Sequence, residues 1–374
     1  MIGIDVDKHT LKVCLVFQDA MMSRKVKASR TFKNTKIGFA ELLSWASKKT
    51  GADHRVDGFV LEATGTYHEQ LIYFLHRQDQ AVHVVLPNLA KRYMQSIGQR
   101  SKNDKADARG LAMMGCERNL EMWIPACEHL LELRSLTRLI ERLQNQKTAF
   151  HNHLEAYVHA EIVHPMSMNA TKKLIKELEK QIEAAKQEVS SIVKTDPVLK
   201  AKFKLFKDLK GIGLMSFAVV VSETNGFALF KNQKQLVSYA GFDVVENSSG
   251  TKVGKTRISK KGNTHIRRVL YLSAMSALNH QAELRNLHTR VYNRTAIKMK
   301  GVVAVQRKLL VLMYTIWKKD QPFTTNYHSS EDKEHKPSFR LAQRSKKTAD
   351  ESSAALDELQ SDKSHEALFS VRQN

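Results

Sequence analysis

Along the first hundred residues, short β-rich runs alternate with runs of helical period. Gly3 to Val6 and Leu11 to Phe17 read as strands joined by the polar turn Asp7-Lys8-His9-Thr10, and Val26 to Phe32 reads as a third. A hairpin meander is the simplest arrangement for these three. Phe39, Leu42, Leu43 and Ala46 then recur at helical spacing. Gly58 to Leu61 reads as a buried strand, about Tyr67 to Arg77 as a helix, and Ala81 to Leu86 as a strand that Pro87 ends. Three strands, helix, strand, helix, strand is the element order of the RNase H-like fold, although many α/β domains share parts of it.

The period then becomes purely helical. Leu133, Leu136, Ile140, Leu143, Leu154 and Val158 mark a long helix over about Leu130 to Ala160, with a polar interruption at Gln144 to Thr148. Leu174, Leu178, Ile182, Ala185 and Val189 mark a second over about Thr171 to Val193. The break between them contains Pro165, so the pair reads as an antiparallel hairpin serving as a spacer or a dimer seam. From Val198 to Lys319 the chain is helical, with a Gly- and Ser-rich insertion over about residues 241–262. Past Asp320 the composition turns to Ser, Glu, Lys, His and Gln, which predicts disorder. Four segments follow: an α/β domain at 1–125, a helical hairpin at 126–197, a mainly α domain at 198–319 and a tail at 320–374.

Charge narrows the function. Sixty Lys and Arg against thirty-eight Asp and Glu give a formal net charge of +22. Self-repulsion of that size calls for a polyanionic partner, with nucleic acid the default. A membrane surface is disfavoured, because no run of about 18 apolar residues and no basic amphipathic N-terminus is present. Residues 250–319 hold sixteen Lys and Arg and one acid, Glu283, which makes this stretch the expected phosphate-contacting surface. Strand-like sequence begins at once, with no signal peptide before it, and the three cysteines lack paired spacing. Both features point to a reducing cytoplasm.

Four carboxylates stand out by context. Asp5 lies within an apolar strand and Glu62 ends another. Asp104 and Asp107 share one helix face by their spacing. Acids on buried strands are costly unless neutralised, which divalent cations do well. Two Mg²⁺ ions about 4 Å apart can hold the attacking and leaving oxygens of a phosphoryl displacement, given carboxylates from separate elements. Taken singly, each of these acids is more often a solvated one. Asp7 competes with Asp5 but falls in the turn.

A second constellation is Ser248-Ser249-Gly250, followed by Lys252, Lys255, Arg257, Lys260, Lys261, Arg267 and Arg268. A serine beside glycine can approach a phosphate closely, and nearby cations can stabilise a pentavalent transition state. No His or Asp base accompanies it, and a flexible loop solvated by its own serines is the plainer reading. A third signal is Lys210-Gly211-Ile212-Gly213 before an apolar helix. It has the look of a helix-hairpin-helix turn whose backbone N–H groups bind DNA phosphate, or of a plain tight turn.

Taken together, Gly3-Ile4-Asp5-Val6, Leu61-Glu62-Ala63-Thr64-Gly65, Asn103 to Ala108 and the block from Tyr239-Ala240-Gly241 through Ser249-Gly250, Ile258-Ser259-Lys260, Gly262-Asn263 and Arg267 resemble the insertion-sequence-110 family of DEDD transposases. The resemblance runs in order from about residue 2 to about residue 318. It implies a RuvC-like catalytic domain, a coiled-coil linker and a C-terminal transposase domain. By position it gives Asp5, Glu62, Asp104 and Asp107 the role of Mg²⁺ ligands, with Mn²⁺ a possible substitute. Ser249, directly before glycine, takes the role of nucleophile, with Ser248 one residue away. It further implies a structured bridge RNA that pairs with donor and target DNA, and a homodimer or homotetramer in which the serine of one subunit meets the acids of another. Two other readings compete: a RuvC-like metal nuclease acting on branched DNA without a covalent intermediate, and a nucleic-acid-binding protein without catalysis.

Overall fold

The structure is a computed structural model. It describes residues 1–324 except 20, 51–55, 64, 99–102, 247, 250, 251 and 255, so the tail reading and Lys255 lie outside the described residues. Met1–Pro322 form one compact unit.

That unit opens on a five-stranded sheet. β1 (Ile2–Val6), β2 (Thr10–Gln18) and β3 (Arg24–Lys33) form an antiparallel meander, and α1 (Lys36–Thr50) follows. Then come β4 (Phe59–Glu62), α2 (Glu69–Arg77) and β5 (Val82–Val85), with β1, β4 and β5 parallel. The sheet order is β3-β2-β1-β4-β5, in agreement with the element order expected for an RNase H-like domain.

The two faces of the sheet are filled differently. On one, Ile2, Ile4, Leu11, Val13 and Leu15 bury against Phe39, Leu42 and Trp45 of α1 and Leu71, Ile72 and Leu75 of α2. On the other lie α3 (Pro87–Ser96) and α4 (Asp104–Glu117). Tyr93, Leu111 and Met114 cover Val60 and Val85, while Ala108 and Ala112 sit against Cys14 and Val16. β5 ends before Pro87, as expected, and Pro87 also opens α3 at its first turn, where a missing N–H costs nothing.

Two long helices follow, α5 (Glu128–His159) and α6 (Pro165–Thr195), packed along one another. Pro165 opens α6 a turn and a half earlier than the apolar periodicity indicates. From Glu141 to Ala170 no residue is buried. Val158 and Leu174, both expected on the seam, are exposed. Among the described residues no helix is long and apolar enough to cross a membrane.

The remainder is helical: α7 (Pro197–Lys204), α8 (Leu214–Glu223), α9 (Gln233–Tyr239), α10 (Thr264–His280), α11 (Ala282–Thr295) and α12 (Lys298–Lys319). Phe217 of α8 is fully buried and meets Phe203, Phe206 and Trp317, and Phe227 meets Tyr314 and Trp317. The Gly- and Ser-rich insertion forms four two-residue strands, β6 (Val244–Val245), β7 (Ser248–Ser249), β8 (Lys252–Val253) and β9 (Arg257–Ile258). β6 pairs with β9, and β7 pairs with β8.

Candidate active site

The acids converge because α4 lies unusually close to β1. A Cβ on Gly3 would overlap the Ala108 carbonyl oxygen and the Ala112 amide nitrogen, so glycine there and alanines on the helix let the two backbones touch. Asp104 stands one turn before Ala108, which carries it toward the C-terminal end of β1 and Asp5. Asn103 caps α4, its side chain accepting the Ala106 N–H at 2.8 Å, and Asp104 and Asp107 occupy the first turn, where the helix dipole favours negative charge.

Strand register brings the fourth acid. β1 pairs in parallel with β4 at Gly3–Val60 and Ile4–Leu61, and one step further along this register Asp5 runs beside Glu62. Asp5 shares the face of Gly3, and Glu62 that of Val60, so both look toward α4. Burial, then the charges of Asp104, Asp107, Glu62 and Asp7, push the Asp5 carboxyl up to about 6. Asp7, in the β1–β2 turn, donates its N–H to the Thr10 carbonyl and is the weakest of the four charge influences.

Among the described residues, no three His, Cys, Asp or Glu side chains stand close enough, as oriented, to enclose an ion. The acids are thus within Coulomb range of one another without being arranged as ligands. Their donor chemistry still suits a hard divalent cation, since every donor is a carboxylate oxygen and their repulsion is what such an ion relieves. Asp104, exposed on the first turn of α4, is free to adjust its rotamer.

The serine block is built on a separate piece of chain. Ser249 is exposed on β7, which pairs with β8 and with neither β1 nor β4; the side chain of Ser248 is outside the described residues. The glycines at the base of this insertion have packing reasons. Gly241 has φ +72°, and a Cβ on Gly262 would overlap the Tyr239 carbonyl oxygen. Arg267 donates to the Ala240 carbonyl at 2.8 Å, and Arg268 donates to Glu141 at 2.8 Å and Asn145 at 2.6 Å. These two cations are therefore engaged inside the protein, whereas Arg257, Lys260 and Lys261 are exposed; the Lys252 side chain is not described. In the turn before α8, Gly211 has φ +93° and lies against the Ser273 carbonyl of α10, which favours the tight-turn reading. At Gly213 nothing lies within 4 Å of a Cβ, and Lys210 is exposed.

A further polar cluster joins the hairpin base to the helical region, and the sequence carried no signal of it. Glu223, 3% exposed at the end of α8, accepts two hydrogen bonds from Arg138 of α5, at 2.7 and 2.9 Å, and one from Asn263 at 2.7 Å. Burial alone would raise its pKa, yet Arg138 and Asn263 hold it below the ordinary glutamate value. Nearby, His265 and Arg268 of α10 both pair with Glu141 of α5.

A mixed sheet with four acids gathered at one end, joined to a strongly basic helical region, defines a DNA-processing enzyme of the transposase class. The chain belongs to the IS110 transposase family. A DEDD IS110 pattern described as "Transposase" matches residues 2–165, and one described as "Transposase IS116/IS110/IS902 family" matches residues 203–289. Among curated proteins, the "Pilin gene-inverting protein" of Moraxella bovis is 26% identical over 335 residues, covering 87% of this chain and 98% of that one. Its namesake from Moraxella lacunata is 25% identical over the same shares. An "Insertion element IS110 uncharacterized 43.6 kDa protein" of Streptomyces coelicolor is 21% identical over 136 residues, 36% of this chain and 33% of that one. Among solved structures, Thermus thermophilus RuvC matches at 12% identity and a TM-score of 0.25, covering 33% of this chain and all of the RuvC chain. A likeness at that level carries no argument, and the fold rests on the strand order and register above.

Proposed function

We propose that the chain is a site-specific DNA recombinase of an insertion sequence, cutting and rejoining strands through a serine-linked intermediate with its acids around divalent metal. The observation that carries this reading is the convergence of Asp5, Glu62, Asp104 and Asp107 on one end of the sheet. In this reading residues 1–125 are a RuvC-like catalytic domain, 126–197 a coiled-coil arm and 198–319 a DNA-handling domain, and the protein works in the cytoplasm on the nucleoid.

Asp5, Glu62, Asp104 and Asp107 would hold Mg²⁺, or Mn²⁺ in its place. When bound, such ions supply Lewis-acid stabilisation of charge on the reacting phosphate. The Ser249 hydroxyl attacks phosphorus, the bond from phosphorus to the 3′ oxygen breaks, and a 5′-phosphoserine forms. Net, the hydroxyl proton leaves serine and the 3′ oxygen gains one. Arg257, Lys260 and Lys261 hold the strand's phosphates beside the serine, with Lys210, Gly211, Gly213, Lys252 and Lys255 further along the basic surface. Among the described residues β7 and β8 pair with no strand of the acid-bearing sheet, and in this reading the serine meets a set of acids by movement of its hairpin or from a second subunit. A homodimer or tetramer satisfies that requirement. A bridge RNA choosing donor and target DNA accords with abundant phosphate-binding charge and little base-reading apparatus. The names of the Moraxella relatives, which speak of inverting a gene, support conservative strand exchange over simple cutting.

The test is an adduct assay with purified protein, guide RNA, element-end DNA and Mg²⁺. Wild type yields a covalent protein–DNA species, and Ser249→Ala and Asp5→Asn yield none. That the serine hairpin shares no sheet with the acids favours one rival, a metal nuclease that leaves free ends. Cleavage by Ser249→Ala at the wild-type rate would establish it.

A further inference from the structure

The face of the sheet that carries the acids also carries cations without counter-ions. Lys12 of β2 is directly opposite Asp5 in the antiparallel register and therefore on the same face. Thr31 of β3 lies opposite Lys12, and Lys33 opposite Thr10, so Lys33 is also on that face, diagonal to Lys12. Arg109 follows Ala108, which packs against Cys14, the next position of β2 on this face. Burial raises the Cys14 thiol, but a hydrogen bond with Ser29 and the Arg109 charge both draw it down, which places the guanidinium near Cys14.

Among the described residues, the side chains of Lys12, Lys33 and Arg109 take part in no hydrogen bond and no ion pair. Protection of an exposed sheet edge explains lysines and arginines along β3, such as Lys25 and Lys27. It does not explain Lys12, half-buried on a strand paired on both sides. A half-buried, unpaired ammonium there is a cost that a bound anion would offset.

We propose that Lys12, Lys33 and Arg109 form a backbone track that lays one DNA strand across β2 and β3 and delivers its phosphate to the acid end of the sheet. Lys12 and Lys33 act as point charges toward successive phosphates, and Arg109 adds a fork able to grip two phosphate oxygens. These are positioning residues, distinct from the cations of the C-terminal basic surface. The inference rests on reading the acids as the reaction site.

Its test separates the two. In an Asp5→Asn background without divalent metal, binding of a fluorescein-labelled oligonucleotide of mixed sequence, single-stranded and duplex, is followed against salt. Each of Lys12→Gln, Lys33→Gln and Arg109→Gln should flatten the slope of log affinity against log salt by about 0.7 to 0.9, and Lys12→Arg should restore it. Unchanged slopes in folded Lys33→Gln and Arg109→Gln proteins overturn the track, as does flattening confined to an RNA oligonucleotide. Retained cleavage by Asp5→Asn alone would overturn the site reading, while the slopes still decide the track.

Discussion

Two sheltered carboxylates in this molecule are treated in opposite ways. Glu223 is surrounded by donors: Arg138 grips both its oxygens, Asn263 donates a third bond, and the acid stays ionised below its ordinary range. Asp5 is surrounded by acids, and its carboxyl is pushed up to about 6. A carboxylate whose charge is satisfied by its own protein is a structural fastener. One held among like charges is kept at a cost, and such groups concentrate where chemistry is done.

Substitution tests that contrast. The largest effect is expected at Asp5. Asp5→Asn should lower strand cleavage on the order of a thousandfold, since several kcal/mol of transition-state stabilisation go with the ligand set. Its thermal midpoint should stay level or rise, because a repelled charge is removed. A midpoint that drops along with activity would make Asp5 a fastener like Glu223. Next, Arg138→Ala should destabilise the fold by roughly 3 kcal/mol, read from denaturant unfolding, by leaving Glu223 buried and unpaired. The partial exposure of Arg138 places this at the lower end of the usual range. The smallest effect is in pH. Glu223 has a depressed pKa, so its ionised pair stabilises fully above the ordinary glutamate value and less as pH falls through the folded value. The gap in thermal midpoint between wild type and Glu223→Gln should therefore be widest near pH 7 and narrow below about pH 4.

Much of the acid cluster was legible because its parts are local. Asp5 and Glu62 sit in or at the end of apolar runs that fix their strands, and Asp104 and Asp107 follow an N-cap. Gly3 beside Asp5 was read as part of a strand motif; only the packed helix reveals that it sets how near α4 can come. Pro87 marks the end of a strand, as read, but the helix it opens was missed, because a proline closes strands and opens helices equally well. The four strands of residues 244–258 are two residues each, too short for any period to register. The link between Glu223 and Arg138 spans 85 positions in sequence, and neither residue's local pattern hints at the other.

Among the described residues the hairpin of α5 and α6 is anchored near its root, where Arg138, Glu141 and Asn145 meet the helical region. From Gln146 to His159 α5 runs on for about 21 Å, so a swing of about 10° at the root sweeps its end through roughly 4 Å. Whatever grasps that end has mechanical advantage over the root contacts, and the Glu223 and Glu141 ion pairs are the hinge pins that resist it.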